Sequence, residues 1–472
     1  MTVAVAAVDL GATSGRVMLG HVSANELSIR PIARFANTPV RTIDGLHWNV
    51  LELYRSVVAG LAAAAGEEPA IASIGIDSWA VDYALMRGGR ILGMPYHYRD
   101  ERNATAVEAA HALVSPAELY AANGLQHLPF NSLYQLTSDR LEGTLAVADG
   151  FLLVPDLLAY WLTGRQVAER TNASTTGLVN VATGQWDDGL LERLELPRAL
   201  FPRIVDPGAS IGSLLPDVAR ETGMAATTTV TAVGSHDTAS AVLAVPAVDA
   251  DFAYISCGTW GLVGVELEHP ELSEAGRLAN FTNEGGVDGT VRYLHNVMGL
   301  WLLSESVREW ERGASPISLP ALLDAAAAVA EPVAVFDTND PRFLAPGDMP
   351  ARIAEWCRDN GAVVPNTQAQ FVRSIVESLA DAFARAVFTA ASLSGKTVSV
   401  IHIVGGGSQN ALLCQLLADR SGLPVLAGPV EATAIGNVLV QARTSGLVSG
   451  SRESLRALVA TAFPTRTFVP AG

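Results

Sequence analysis

Continuous apolar runs alternate with stretches of helical periodicity along the whole chain, which predicts an α/β protein. Val3 to Val8 is a continuous apolar run and predicts a strand buried on both faces. Further runs at Val17 to Val22 and Leu27 to Phe35, with a turn at Ala24-Asn25 between them, extend it into an antiparallel meander. Leu51, Leu53, Tyr54, Val57, Val58 and Leu61 fall at helical spacing, so Val50 to Ala65 predicts a helix stopped by Gly66. Ile71 to Ile76 reads as a strand, and Pro155 to Thr163 as a helix closed by Gly164 with Tyr160 and Trp161 in the core. In the middle, the β-branched run Thr227 to Val233 predicts a strand and Ala239 to Val245 a helix ended by Pro246. Phe252 to Glu266 repeats the opening strand-turn-strand design. Leu294 to Trp310 predicts a helix carrying Asn296, Trp301 and Ser304, and Phe371 to Leu393 a long one. The chain then alternates: a strand to Val404, a helix from Ala411, a strand from Pro424 and a helix from Glu431 that contains Gly436.

Candidate chemistry sits at the strand ends. Gly234-Ser235-His236-Asp237-Thr238 puts a carboxylate and an imidazole where a strand meets a helix, the usual ligand position in open α/β sheets. The same residues also suit a plain helix cap. Asp9-Leu10-Gly11-Ala12-Thr13-Ser14-Gly15-Arg16 offers amides, hydroxyls and a cation for phosphate oxygens, and an acid for hydrated magnesium. A simple hairpin would use the same residues, and neither the Walker nor the Rossmann fingerprint is matched. Asp77 and Asp82 flank Trp79, a combination that suits a polyol or a capped strand with a core indole. Gly405-Gly406-Gly407 between a strand and a helix leaves backbone bare for a flat ring or a phosphate. Ser115-Pro116-Ala117-Glu118 is a capping box. His97 to Asn103 is a polar cluster before a helix, and the polar run Thr171 to Thr176 has no role assignable from its chemistry.

Composition narrows the class. At 472 residues with 49% hydrophobic and 17% charged residues, two folded domains are expected, here 1–246 and 247–472. A net charge of −17 argues against a general nucleic-acid or anionic-membrane binder. Cys257, Cys357 and Cys414 lack metal-ligand spacing and suit a reducing cytoplasm. The start lacks a basic n-region and no apolar run is long enough for a membrane span, so a soluble cytoplasmic protein is expected. No apolar face argues for a dimer, and a monomer is compatible with the sequence.

Together, the Asp9 to Arg16 string, Gly234-Ser235-His236-Asp237, Gly258-Thr259-Trp260 and Gly405 to Asn410 resemble the FGGY carbohydrate kinases. Longer strings resemble in particular the members that phosphorylate L-rhamnulose. These are Gly75 to Trp79, Pro95 with Tyr98-Arg99-Asp100, Asn131 to Leu136, Thr171 to Thr176, Ser235 to Val242, Asn283 to Gly286, Asn296 to Leu303 and Gly428 to Ala432. The resemblance runs nearly end to end. It implies two actin-like (ribonuclease-H-like) domains flanking a deep catalytic cleft, and transfer of the ATP γ-phosphoryl group to O1 of the ketose. Asp237 would be the catalytic base and Asp9 the acid that positions Mg²⁺ through water. Ala12, Thr13, Ser14, Gly15 and Arg16, with Thr259, Gly405 and Gly406, would bind the nucleotide. Asp77, Trp79, Ala80, His236, Asp237, Thr238 and Asn296 would bind the sugar. Two positions depart from the family pattern: Ala80 stands where members often have Gly, and Ser304 where Gln is usual. A sibling kinase for L-fuculose or a pentulose, and a non-catalytic actin-like nucleotide or sugar binder, are the alternative readings.

Overall fold

The strands Val3–Leu10 and Ile71–Ser78 are apolar and buried almost throughout, so the middle of the first sheet is covered on both faces, while its edge strand Glu26–Ala36 is mostly exposed. The computed structural model describes residues 3–23, 26–312 and 316–471. The turn expected at Ala24-Asn25 therefore lies outside the described residues. The chain divides into two compact units, the first made of Met1–Val248, Glu266–Tyr293 and Ala432–Ala462. The second comprises Asp249–Val265, Leu294–Glu431 and Phe463–Gly472.

In the first unit the expected meander forms from the strands Val3–Leu10, Ser14–Ser23 and Glu26–Ala36, each antiparallel to the next. On its other side Val3–Leu10 runs parallel to Ile71–Ser78, which runs parallel to Thr229–Thr231. Ser210–Ser213 closes that edge antiparallel to Thr229–Thr231. Three parallel strands thus point their carboxyl ends the same way, where ligands bind in open α/β sheets. The helix Ala432–Thr444 lies against this sheet, with Val438 filling the space over Gly20 and Asn437 and Gln441 that over Gly75. It crosses the short helix Asp237–Leu243 at Gly436, where a Cβ would overlap the Ser240 carbonyl oxygen. That close approach accounts for the glycine inside a helix.

The second unit repeats the plan. Phe252–Cys257 and Trp260–Leu267 form an antiparallel hairpin, and Phe252–Cys257 runs parallel to Val400–Val404 on its other side. Val425–Ala427 follows in parallel and Arg466–Phe468 antiparallel. The mixed α/β class expected from the sequence is the one found. Among the described residues no helix is long and apolar enough to cross a membrane.

Three local expectations change. The helix Val50–Glu67 runs through Gly66 and ends with the Glu68 amide bonded to the Ala64 carbonyl, because one glycine in a last turn costs little. Asn296 lies in the strand Val291–Met298, not on a helix; Gly299 breaks the chain and the helix starts at Trp301. Tyr160 and Trp161 are only half-buried, with the Tyr160 hydroxyl donating to the Gly89 carbonyl. The helix Val154–Thr163 does close on Gly164, and the capping box at Ser115 and Glu118 is present.

Candidate active site

The parallel register of the first sheet places Asp9 beside Asp77, at the carboxyl ends of neighbouring strands. The Ser78 amide donates to the Ser235 carbonyl at 2.9 Å, which draws the segment before Asp237 to the same edge. Arg16 comes opposite Asp9 across the hairpin, its Nε 3.0 Å from Asp9 Oδ2. Asp77 is fully buried, and burial followed by the nearby Asp9 charge raises its pKa well above the usual carboxylate range. The amide of Asn437 opposes this, donating to Asp77 Oδ2 at 2.6 Å. One edge of the first unit therefore gathers Asp9, Arg16, Asp77, His236, Asp237 and Thr238.

The first turn is shaped for access. The Gly11 amide donates to the Ser14 carbonyl at 2.9 Å, and Asn37 ties the turn from behind through Gly11 and Thr13. Thr13 and Ser14 are exposed and Ala12 half-exposed, while Gly15 is buried because the Phe35 ring occupies the space of a Cβ.

Asp237 opens the short helix Asp237–Leu243, its side chain exposed at 31% while that of His236 is exposed at only 7%. Thr238 Oγ1 donates to Asp237 Oδ1 at 3.0 Å, and His236 Nε2 stands 3.5 Å from the same oxygen. Behind His236 lie Glu284 and the fully buried Arg292, two groups that residue spacing did not single out for the site. Burial pushes the Glu284 carboxyl upward, but the charge of the Arg292 guanidinium works against it, and its pKa stays below the usual value.

The polar run without an assignable role turns out to clamp this segment. Glu169 Oε2 accepts from the Ser235 amide at 3.0 Å, Ser235 Oγ at 2.8 Å, Thr171 Oγ1 at 2.5 Å and the Asn172 amide at 3.1 Å. Thr171 Oγ1 accepts in turn from the His236 amide at 3.2 Å, and Asn172 Nδ2 donates to the Ser235 carbonyl. Ser174 Oγ accepts from the Gly285 amide at 2.8 Å, tying in the segment that carries Glu284.

Trp79 is buried, and its indole N–H donates to Asp82 Oδ2 at 3.0 Å. The same oxygen accepts from Trp48 Nε1 at 2.5 Å and the Tyr98 amide at 3.2 Å, while Gln135 Nε2 donates to Oδ1 at 2.9 Å. Burial pushes Asp82 up to about 7, against four donors that favour its charged form. Asp82 is a structural hub, and Trp79 packs against Trp48 with the rings tilted by 34° and centroids 4.1 Å apart. Between them Ala80 is half-buried, and Val81 is held at φ 67, a strained setting for a β-branched residue. In the His97 to Asn103 cluster, Arg102 pairs with Asp139 at 2.6 Å and covers the Tyr96 ring, which is a structural use.

The remaining sequence-derived candidates belong to the second unit. Thr259 sits half-buried in the turn between Phe252–Cys257 and Trp260–Leu267, its carbonyl accepting from the Trp301 amide at 3.2 Å. Asn296 is half-buried in its strand, and Ser304 is exposed in the first turns of the helix Trp301–Glu311. Gly405 has φ 80, and a Cβ there would lie 2.9 Å from the Cys257 carbonyl. At Gly407 a Cβ would overlap the Cys257 sulfur, so packing explains both glycines. Gly406 is different: it is exposed, its φ is ordinary, and a Cβ would meet nothing within 4 Å. Among the described residues no group of three or more His, Cys, Asp or Glu is arranged to hold a metal ion.

Family models place the chain among known proteins. The N-terminal domain of the FGGY family of carbohydrate kinases matches residues 4–244, and the C-terminal domain of that family matches residues 253–445. A rhamnulokinase of Bacteroides thetaiotaomicron is 42% identical over 467 residues, 98% of this chain and 95% of that one. A rhamnulokinase of Pectobacterium carotovorum is 41% identical over 471 residues, 99% of this chain and 93% of that one. Among solved structures, a ligand-bound xylulose kinase from Lactobacillus acidophilus has the same fold, with a TM-score of 0.78 at 16% identity, covering 99% of this chain and 94% of that one.

Proposed function

The chain belongs to the FGGY family of carbohydrate kinases, and on that footing we propose that it transfers the γ-phosphoryl group of ATP to O1 of L-rhamnulose. The products are L-rhamnulose 1-phosphate and ADP. The observation that carries the substrate is the near full-length likeness to rhamnulokinases. The chemistry is supported by an acid edge in which one carboxylate, Asp237, is accessible while Asp9 and Asp77 are buried.

In this reading O1 attacks the γ-phosphorus, the bond from that phosphorus to the bridging oxygen breaks, and ADP leaves with the electron pair. The O1 proton passes to Asp237. Such transfers run through a loose transition state, so the protein contributes mainly positioning and charge neutralisation, with base help late. Arg16 and the amides of Ala12 to Gly15 would receive phosphate oxygens. Thr259, Gly405 and Gly406 would contact the nucleotide. His236, Thr238, Asn296 and the Asp77 to Ala80 segment would line the sugar.

The donor set fits Mg²⁺, which keeps several waters and takes one or two carboxylates. Asp9 and Asp77 stand in register, and Asp77 Oδ1 is buried with no hydrogen-bond donor. When bound, the ion would neutralise charge on the transferring phosphates, held through water by Asp9. Three free, buried cysteines suit a reducing compartment, and we place the reaction in the cytoplasm.

The product tests the regiochemistry: its ³¹P resonance should couple to the two C1 protons, and coupling to any other ring or chain proton would reject O1 as the acceptor. The nucleotide half has its own test. Because a Cβ at Gly406 has open space, Gly406→Ala should leave Tm unchanged yet raise the KM for ATP about tenfold, a steric penalty of about 1.4 kcal/mol. An unaltered KM would remove Gly406 from the nucleotide site.

A further inference from the structure

Behind His236 the charges are arranged with a definite polarity. Arg292 Nη2 lies 3.0 Å from His236 Nδ1 in hydrogen-bond geometry. Glu284 Oε2 is 3.2 Å from the same nitrogen but makes no hydrogen bond, and it faces Arg292 Nη1 at 3.1 Å. A guanidinium can only donate, so Nδ1 must accept, and the ring proton is left on Nε2. That N–H faces Asp237 Oδ1, which also accepts from Thr238 Oγ1. Among the described residues nothing donates to Oδ2 of Asp237.

We infer that Arg292, braced by Glu284, holds His236 as the Nε2–H tautomer, so that His236 and Thr238 together engage Oδ1 of Asp237 and leave Oδ2 as the oxygen that receives the substrate's proton. The inference rests on the kinase reading for the role of Asp237, though the tautomer itself does not. With the proton on Nδ1, a nitrogen lone pair would confront the Asp237 carboxylate. The two would repel, and the carboxylate would lose one of the two contacts that fix its plane. A histidine tautomer set by its second nitrogen is a known way to orient catalytic groups. Arg292 touches neither substrate nor the reacting atoms in this scheme; it is a positioning residue acting through His236.

The tautomer can be read without any turnover, by ¹⁵N NMR of the full chain labelled at histidine, with the His236 signals identified by their loss in His236→Gln. The wild type should show Nδ1 unprotonated and Nε2 protonated. In Arg292→Met the proton should move to Nδ1, toward Glu284, and kcat should fall about tenfold or more with the KM for ATP unchanged. Arg292→Lys, which can still donate to Nδ1, should restore the Nε2–H signature and recover turnover relative to Arg292→Met. A wild-type His236 protonated at Nδ1 would overturn the inference, as would full turnover in Arg292→Met with a shifted tautomer. Should Arg292→Met fail to fold, the wild-type and Arg292→Lys spectra still decide. An Nε2–H signature in a protein without sugar-stimulated turnover would leave the tautomer standing and remove the kinase reading instead.

Discussion

Asp237→Asn is expected to lower kcat by about 10²–10⁴, the range that a positioned general base contributes, with little change in Tm or in the KM for either substrate. The substitution is nearly isosteric. Its amide oxygen can take the place of Oδ1, accepting from Thr238 Oγ1 and facing His236 Nε2. The amide nitrogen then occupies the position of Oδ2, where it has no lone pair to accept a proton. Because the side chain is exposed at 31% and makes few contacts, its loss as a base separates cleanly from stability. Steady-state kinetics beside a melting curve would check both halves. Turnover at the wild-type level would show that the sugar hydroxyl loses its proton elsewhere.

Glu169→Ala should be the most damaging change outside the reacting groups. Glu169 takes the backbone N–H groups of Thr171, Asn172 and Ser235, as well as two hydroxyls. Removing it strands buried donors at about 1–3 kcal/mol each, partly relieved by local relaxation, so a loss of about 3–5 kcal/mol is expected in urea unfolding. The Ser235 amide would lose its acceptor and the Thr171 hydroxyl that serves the His236 amide would lose its own, so kcat/KM should fall by more than about tenfold in whatever protein remains folded. Glu169→Gln keeps the oxygen that serves Ser235 and places a donor opposite the Thr171 amide, so about 1–2 kcal/mol is expected. A Glu169→Ala protein within 1 kcal/mol of wild type would mean that the clamp does not hold the Asp237 segment.

Local patterns made much of this legible. The strand-turn-strand units at Asp9 and Thr259 announce themselves through unbroken apolar runs around glycine turns, and both form. Asp237 at a strand-to-helix junction is a short-range signal, and so is Gly406 in its triple glycine. The support of the site was not legible, because it comes from residues far apart in the chain. Glu169 and Ser235 are separated by 66 residues, and Arg292 and His236 by 56, so neither pairing leaves a local period. Asn296 changes element for a different reason: helical spacing counted across Gly299 merges the end of the strand Val291–Met298, which has no alternation of its own, with the helix that starts at Trp301. Trp79 offered an aromatic face for a sugar by composition alone, yet its N–H is committed to Asp82 together with that of Trp48. Only the fold shows that one carboxylate serves both indoles.

The most direct measurement is ADP release with MgATP across L-rhamnulose, L-fuculose, D-xylulose, L-ribulose and glycerol. Turnover should be sugar-dependent, with the highest kcat/KM for L-rhamnulose. A higher kcat/KM for another ketose would contradict the proposed substrate and point to Ala80 as a determinant of the pocket. ATP turnover indifferent to every sugar would contradict the reaction itself.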